Sequence, residues 1–513
     1  MGALFDFMGG DQDEADGIAA ALSDRLSQEL VIALVGPVGS GVSTVGKYIK
    51  EKLQHDFSYS VAPIIKLSDL IKEDAFHVGK VAPSSQPLGA YINEMQDIGN
   101  SLRGKFGLNY LSARAIENIV KYRSESGGYK NGVIVPGRRA YIIDSIKNTD
   151  ELALLRHMYR ESFCLIGIFA PDDIRKQRLI SNGVDESAIG KILSRDENEI
   201  ETFGQKTRKV FIESDLFIRN DELEEVSEYR VKRYLDLLFD TDIHTPTQAE
   251  SAMYKACAAA SNSACMSRQV GAAIVDSRGE LISVGWNDVP KAGGGLYNEG
   301  DGRVVKDEKH VDKDRRCFKW KRFCRNEIKR ERIVDGIASR LLSSNLLKSK
   351  KVTSKDIVEA ISGSEIDSLI EYSRSIHAEM EAILSVARNG RHSLVGATLY
   401  TTVYPCHNCA RHIVAAGIAD VFYIEPYKKS LAIDLHDDSI TENHADESRV
   451  RFRQYDGVAP RNFLRLFQPE ADRKRKGNLY REPRASALPV FRIPLDGLAD
   501  SESKVIADLV QRG

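Results

Sequence analysis

The chain lacks any apolar run long enough to cross a bilayer: its best candidates, LVIALVG from Leu30 and CLIGIFA from Cys164, are strand-length, against about 20 residues for a spanning helix. No membrane partner is expected. It also lacks an excess of charge of either sign. Lys+Arg 72 against Asp+Glu 74 leaves a net −2, so nucleic acid or an anionic surface would have to be met by a local patch. Proline is scarce, 15 in 513 residues, and with 42% hydrophobic and 28% charged residues the composition is that of a folded chain, not a fibrous or disordered one. Cysteines are few and odd in number, seven. The start, MGALFDFMGGDQDEADG, has no basic n-region, and Asp6 stands where a myristoylation motif wants Ser or Thr. A cytoplasmic protein with reduced thiols, some of them metal ligands, is therefore expected. At about 100–200 residues per domain, the length predicts about two to four domains.

What is present divides along the chain. Residues 1–24 read as a flexible N-terminus. From 25 to 240, short apolar runs (LVIALVG, GVIVPG, AYIIDSI, CLIGIFAP) alternate with helical stretches, the pattern of a parallel sheet flanked by helices. A turn-rich linker, 241–247, leads to a second α/β unit over 248–440. There the helix AESAMYKACAAASN, the hairpin VGAAIV–DSRG–LISVGWN, the helix IHAEMEAILSVAR, the strand ATLYTTV, the helix CARHIVAAG and the strand DVFYIEP follow in turn. A basic insertion, 291–370, interrupts it, and 441–513 reads as a C-terminal extension. The insertion carries 13 Lys and Arg against 6 Asp and Glu between Arg303 and Arg332, with Phe318, Trp320 and Phe323 among them. Such a patch suits a triphosphate or RNA, or is a solvated helix face. Cys317 and Cys324, with His310 and either Cys257 or Cys265, are candidates for a second, structural zinc site.

Gly36, Gly39, Ser40, Gly41, Val42, Ser43 and Thr44 have the spacing of a P-loop, after a strand and before a helix, where backbone N–H groups cradle phosphates. Ser43 stands where the hydroxyl meets Mg²⁺, and Asp144, ending AYIID, is the candidate carboxylate for that ion. Val42 occupies the lysine position. An isopropyl group cannot neutralise charge between β- and γ-phosphates, so nucleoside triphosphate binding without efficient phosphoryl transfer is expected. Lys47 faces away on the same helix; Arg138, Arg139, Arg175 and Arg178 are the alternative cations. IIDSIKNTDELALLR with APDDIRKQRL resembles nucleoside-monophosphate-kinase-like domains, in which lid arginines contact phosphates.

The strongest signal is His377-Ala378-Glu379 opening one helix and Pro405-Cys406-His407-Asn408-Cys409 opening another. Two cysteines three apart at a helix start face the same way. With His377 they make a three-ligand zinc site whose fourth position stays open to water, the catalytic pattern, whereas a structural site would want a fourth Cys or His. Glu379 is placed as the group that moves protons in hydrolytic deamination. His407 and His412 are not needed as ligands.

These motifs, with RQVGAAIV, SVGWNDVP and GATLYTTVYPC, resemble the cytidine/deoxycytidylate deaminase superfamily over about 250–430, and its deoxycytidylate branch in particular. The resemblance implies that Asn287 holds the sugar hydroxyl; a turn role is the alternative. Where that branch often has Arg-Ser-Thr-Cys, this chain has Asn262-Ser263-Ala264-Cys265, so no phosphate-binding arginine carries over there. A P-loop nucleoside-kinase-like parallel-sheet domain followed by an α/β/α cytidine-deaminase-like domain resembles the bacterial anti-phage dCTP deaminases. That resemblance implies conversion of dCTP and dCMP to the deoxyuridine nucleotides, regulation through the P-loop domain, a homo-oligomer and, in some systems, restraint by an RNA antitoxin. A nucleic-acid editing deaminase and an inactive nucleotide sensor are the competing readings.

Overall fold

The computed structural model describes residues 25–197, 203–306, 309–344, 346–347, 351–364, 366, 369–427, 430–468 and 472–512, with 197, 302–306 and 309–312 described for the backbone alone. The expected flexible N-terminus, 1–24, lies outside the described residues, as does the side chain of His310. The chain divides into two compact α/β units, one running to Pro246 and resuming at Asp456, the other Thr247–Tyr455.

In the first unit β1 (Leu30–Val35) leads through the glycine-rich loop into α1 (Val42–His55); β2 (Ser60–Val61), β3 (Ile65–Lys66), β4 (Arg139–Asp144), β5 (Phe163–Phe169), α2 (Asp172–Ser181), α3 (Glu186–Glu197) and β6 (Leu216–Arg219) follow. Every residue of β1, β4 and β5 is buried. Such unbroken runs are what a sheet covered on both faces requires. The strands pair in the order β6-β5-β1-β4-β2, with β3 also on β4, and all of these pairings are parallel. Loops that leave the C-terminal ends of β1, β4, β5 and β6 therefore meet at one edge, where ligands of open α/β sheets bind.

The second unit comprises α4 (Gln248–Ala260), β7 (Gly271–Val275), β8 (Leu281–Trp286), α5 (Arg325–Ser343), α6 (Ala378–Asn389), β9 (Thr398–Val403), α7 (His407–Ala415), β10 (Asp420–Glu425), β11 (Ile440–Thr441) and β12 (Val450–Gln454). Its sheet runs β8-β7-β9-β10-β12-β11. The hairpin β7–β8 and the β7–β9 pair are antiparallel; β9, β10 and β12 run parallel, which requires α7 as a crossover between the first two. Within the insertion, α5 packs on a short helix, Ser354–Ile361. Arg316 ties its start to the sheet, 2.7 Å from Asp314 and 3.8 Å from Asp288, all three side chains being buried.

The linker and the extension differ from expectation. Thr241 donates to Asp236 and the Thr245 carbonyl accepts from Arg233, so 241–246 pack with the first unit. The break falls at Thr247, which caps α4 reciprocally with Glu250. Residues 441–513 are not one extension: β12 completes the second sheet, whereas Gly457–Val458 adds an antiparallel edge to β6. The final helix, Leu498–Arg512, returns to the first unit because its Glu502 completes a buried ion network. Arg123, fully buried, lies 2.8 Å from Glu29 and 2.5 Å from Glu502, Arg139 holds Glu29 at 2.7 Å, and Tyr159 donates to Glu502 at 3.0 Å. Two like-charged carboxylates over 470 positions apart in sequence are thus held by one guanidinium, a geometry no local pattern encodes. Arg123→Ala would leave both carboxylates without that partner, and should destabilise the first unit by about 3–5 kcal/mol, read as a lowered urea midpoint of the full chain.

Candidate active site

His377 is the N-cap of α6 and Cys406 the N-cap of α7, with Cys409 in the first turn of α7. Both thiol sulfurs stand 3.3 Å from His377 Nδ1, and the potential ligand atoms of all three residues lie within 4.8 Å of one another. Glu379, 4% exposed, accepts from the Cys409 thiol at 3.5 Å. The convergence depends on close packing of α6 against β8. A Cβ on Gly285 would come 2.3 Å from the Ala378 carbonyl oxygen and 2.5 Å from the Ala382 nitrogen, so glycine is needed for the helix carrying His377 and Glu379 to approach. Ser283 Oγ, also on β8, donates to the Ala382 carbonyl at 2.8 Å.

The electrostatics of the cluster suit a divalent cation. Burial opposes charge on His377, but its hydrogen bond and attraction to Cys406 prevail and raise it to about 8. The Cys409 hydrogen bond lowers Cys406 to about 4 against burial, with His377 adding to the effect. Burial pushes the Cys409 thiol well above its ordinary value and also raises Glu379 above the usual carboxylate range. Two sulfurs and an imidazole, buried and within reach of one centre, form a donor set that fits zinc with one position to spare.

At the other unit's loop edge, Gly39 and Gly41 take φ of +84° and +82°, the left-handed conformation that glycine adopts freely. Ser43 Oγ donates to Asp144 Oδ2 at 2.6 Å, the juxtaposition of hydroxyl and carboxylate that would share a Mg²⁺ ion. Arg175 and Arg178 donate to the carbonyls of Val38 and Gly39. Arg138 and Arg139 do not reach this edge. Arg139 starts the strand that Asp144 ends, and is engaged by Glu29, while Arg138 donates to the Ala487 carbonyl. Val42 is buried and Lys47 is exposed, in keeping with their helical phases.

Residues 246–425 match the family model of the cytidine and deoxycytidylate deaminase zinc-binding region. The deoxycytidylate deaminase of Enterobacteria phage T2 is 31% identical over 170 residues, 33% of this chain and 74% of the relative. The chain belongs to the cytidine and deoxycytidylate deaminase family. A UPF0200/UPF0201 protein of Archaeoglobus fulgidus is 26% identical over 235 residues, 44% of this chain and 63% of that protein. The crystal structure of a dCMP deaminase from the cyanophage S-TIM5 with dCMP and dUMP is similar at 18% identity, covering 42% of this chain and all of that one, with a TM-score of 0.23.

In the deaminase unit, His377, Glu379 and Cys406 line a cavity of about 280 Å³ together with Asn287. The Asn287 amide is engaged at both ends, accepting from the Val270 N–H at 2.7 Å and donating to the Arg268 carbonyl at 2.9 Å. It thus staples the turn before β7 while standing in the cavity wall. Sequence reasoning did not assign the rest of that wall to the site. Arg268 and Tyr404 lie within the recognised segments RQVGAAIV and GATLYTTVYPC, Arg374 stands three residues before His377, and Cys317, Cys324 and Arg325 enter the cavity from the insertion. Membership of those segments, or adjacency to His377, was the available signal for the first three. Among the described residues, neither Cys317 nor Cys324 belongs to a cluster of three potential ligands, so the second zinc site finds no ligand set there.

Zinc requires thiolates and neutral imidazole. At pH 7 the metal-free cluster holds a proton on His377 and one on Cys409 but none on Cys406. Zinc uptake should therefore release about two protons, measurable by calorimetry in buffers of different ionisation enthalpy, and affinity should rise with pH, less steeply above about 8 where His377 has lost its proton and only the Cys409 proton is still displaced. Release of no proton would refute this charge state. Gly285→Ala should lower the zinc content of the purified protein, because the added methyl drives α6 off β8; an unchanged metal content would show that α6 is not positioned by this contact.

Proposed function

We propose that the second unit is a zinc-dependent hydrolytic deaminase that converts dCTP and dCMP to dUTP and dUMP, regulated by a nucleoside triphosphate at the P-loop unit. One observation carries the reading: an imidazole, two thiols and the buried carboxyl of Glu379 converge beside a single cavity. Held by His377, Cys406 and Cys409, a zinc ion supplies a water whose pKa falls from 15.7 toward about 7.

Glu379, buried beside the three donors, would take a proton from the water that adds to C4 of the cytosine ring and hand it to N3. It then carries a second proton to the departing amine, so that water enters and ammonia leaves. Its burial, which holds the carboxyl above the usual carboxylate range, suits a group that must both take and return a proton. Asn287 retains one amide hydrogen and an oxygen lone pair beyond its two backbone bonds, enough to bind a sugar hydroxyl. Arg325 and Arg374 in the cavity wall, with Arg268 beside them paired to Glu425 at 2.8 Å, supply the positive charge a polyphosphate needs, and they support dCTP as a substrate where the Asn262-Ser263-Ala264-Cys265 segment has no arginine.

The resemblance to anti-phage dCTP deaminases supports a role in depleting dCTP during infection, as a homo-oligomer; in some systems of that family an RNA antitoxin restrains the enzyme. The Ser43–Asp144 pair supports Mg²⁺-nucleotide at the first unit.

Pure protein incubated with dCMP, dCTP, CTP and a cytosine-containing oligonucleotide should release ammonia and form uracil products from the two deoxynucleotides. Glu379→Gln should keep its zinc yet lose about 100- to 10,000-fold in rate. Conversion of the oligonucleotide alone would favour nucleic-acid editing, for which the exposed Trp320, with Arg315, Lys321, Arg325 and Arg374 within 5.1–5.5 Å of its ring, is the stacking platform on hand. Absence of any conversion would overturn the enzyme reading. In cells, the wild-type chain but not Glu379→Gln should lower dCTP on phage infection.

A further inference from the structure

The P-loop of the first unit has no lysine of its own, and the structure supplies an ammonium from elsewhere. Lys147 lies three residues beyond Asp144, in the loop that leaves β4 at the same sheet edge. Its Nζ donates to the carbonyl of Gly36, the first loop residue, at 2.8 Å and to Asp196 Oδ1 at 2.8 Å. Asp196, on α3 and 1% exposed, uses its other oxygen to accept from the Val38 N–H at 2.8 Å. One carboxylate thus bridges a loop amide and an ammonium. These are the two kinds of donor that a P-loop offers to a terminal phosphate.

The backbone that carries Lys147 is held in place. Its N–H donates to Glu151 at 3.1 Å, its carbonyl accepts from Lys206 at 2.7 Å, and Asn148 beside it caps the following helix with Glu151. Glu151 is in turn paired with buried Arg103 at 2.8 Å. The other cations at the loop, Arg175 and Arg178, reach the carbonyls of Val38 and Gly39; Lys147 is the one joined to the loop's first carbonyl and to an anion on its amide. The loop also keeps a donor in reserve: the hydroxyl of Ser40, 0% exposed, has no hydrogen-bond partner among the described residues and lies 2.5 Å from where a Cβ on Gly36 would sit.

We propose that Lys147 supplies the phosphate-neutralising charge that Val42 lacks, and that Asp196 is an internal anion which the terminal phosphate of a nucleoside triphosphate displaces. This rests on the P-loop reading above and deepens it. A phosphate entering the loop takes over the Val38 N–H and the Lys147 ammonium, and the freed Asp196 carries α3 with it. Occupancy of the loop is thereby coupled to the helix pair α2–α3, which also bears Arg175 and Arg178. Nucleotide binding would move this segment without any phosphoryl transfer.

The test is binding of MgATP to the full chain by calorimetry, with the urea midpoint of each variant measured alongside. Lys147→Gln can still donate to Gly36 but carries no charge; it should weaken MgATP binding about 10- to 100-fold, the loss of one charge-assisted hydrogen bond, and its urea midpoint, lowered by the loss of the cation beside buried Asp196, checks that the variant remains folded under the binding conditions. Lys147→Arg should retain most of the affinity. Asp196→Asn removes the competing anion and should tighten binding several-fold, the opposite sign from a merely structural ion pair. If wild type binds MgATP and Ser43→Ala weakens it while Lys147→Gln and Asp196→Asn leave it unchanged, the assignment of Lys147 is wrong and the P-loop reading survives. If wild type binds no MgATP at millimolar concentration, both fall.

Discussion

Two thiols, 29 and 32 positions beyond His377 in sequence, must meet its imidazole within 4.8 Å in a buried place. An imidazole, two thiols and a carboxyl crowded away from water repel and desolvate one another unless a cation or shared protons balance them. The fold accepts this cost by putting each ligand at the start of a helix, where the backbone turns sharply and side chains are not committed to packing. Helix starts are fixed in turn by the sheet: α7 crosses between the parallel strands β9 and β10, and α6 lies on β8 at a distance only Gly285 permits. Everything else in the deaminase unit can be read as support for that meeting point, including Asp288, whose carboxylate accepts from Ala264 and whose carbonyl accepts from Ile376 just ahead of His377.

The first unit follows a related logic with opposite charge. Its sheet brings four loops to one edge, and the glycines there hold backbone N–H groups in an anion-binding concavity. In the described structure that concavity is partly satisfied from within, by a carboxylate on α3, and the positive charge comes from the β4 loop rather than from α1. Asp196 thereby ties the loop to α3 through the Val38 amide and the Lys147 ammonium. The same unit is closed by a guanidinium between Glu29 and Glu502, so the final helix belongs to the domain that starts the chain.

Much of this was legible in the residues. The C-x-x-C pair and His377-x-Glu379 fall on helix starts, where a spacing of two or three residues dictates which side chains share a face, and the α/β alternation was carried by apolar runs buried on both faces. Ser43 and Asp144 were legible because a P-loop and the end of a neighbouring parallel strand always lie at the same edge. The arginines proved harder. Four were candidates for the loop, and two of them, Arg139 at the start of β4 and Arg138 just before it, lie at the opposite end of the strand from Asp144, a distinction that depends on strand direction and length.

What resides within one helical turn or one loop was therefore determined by the sequence itself: the three candidate zinc donors, Glu379 beside them, the glycines of the loop and the valine at its lysine position. Only the tertiary structure decided that an ammonium stands at that loop, since Lys147 reaches Gly36 across 111 positions, and it alone decided that Arg325 of the insertion joins Arg268 and Arg374 around one cavity. The physical reason is the range of the forces. Propensity, capping and side-chain phase act over a few residues and leave a local signature, whereas an ion pair or a cavity wall needs only proximity in space, which any number of intervening residues can provide.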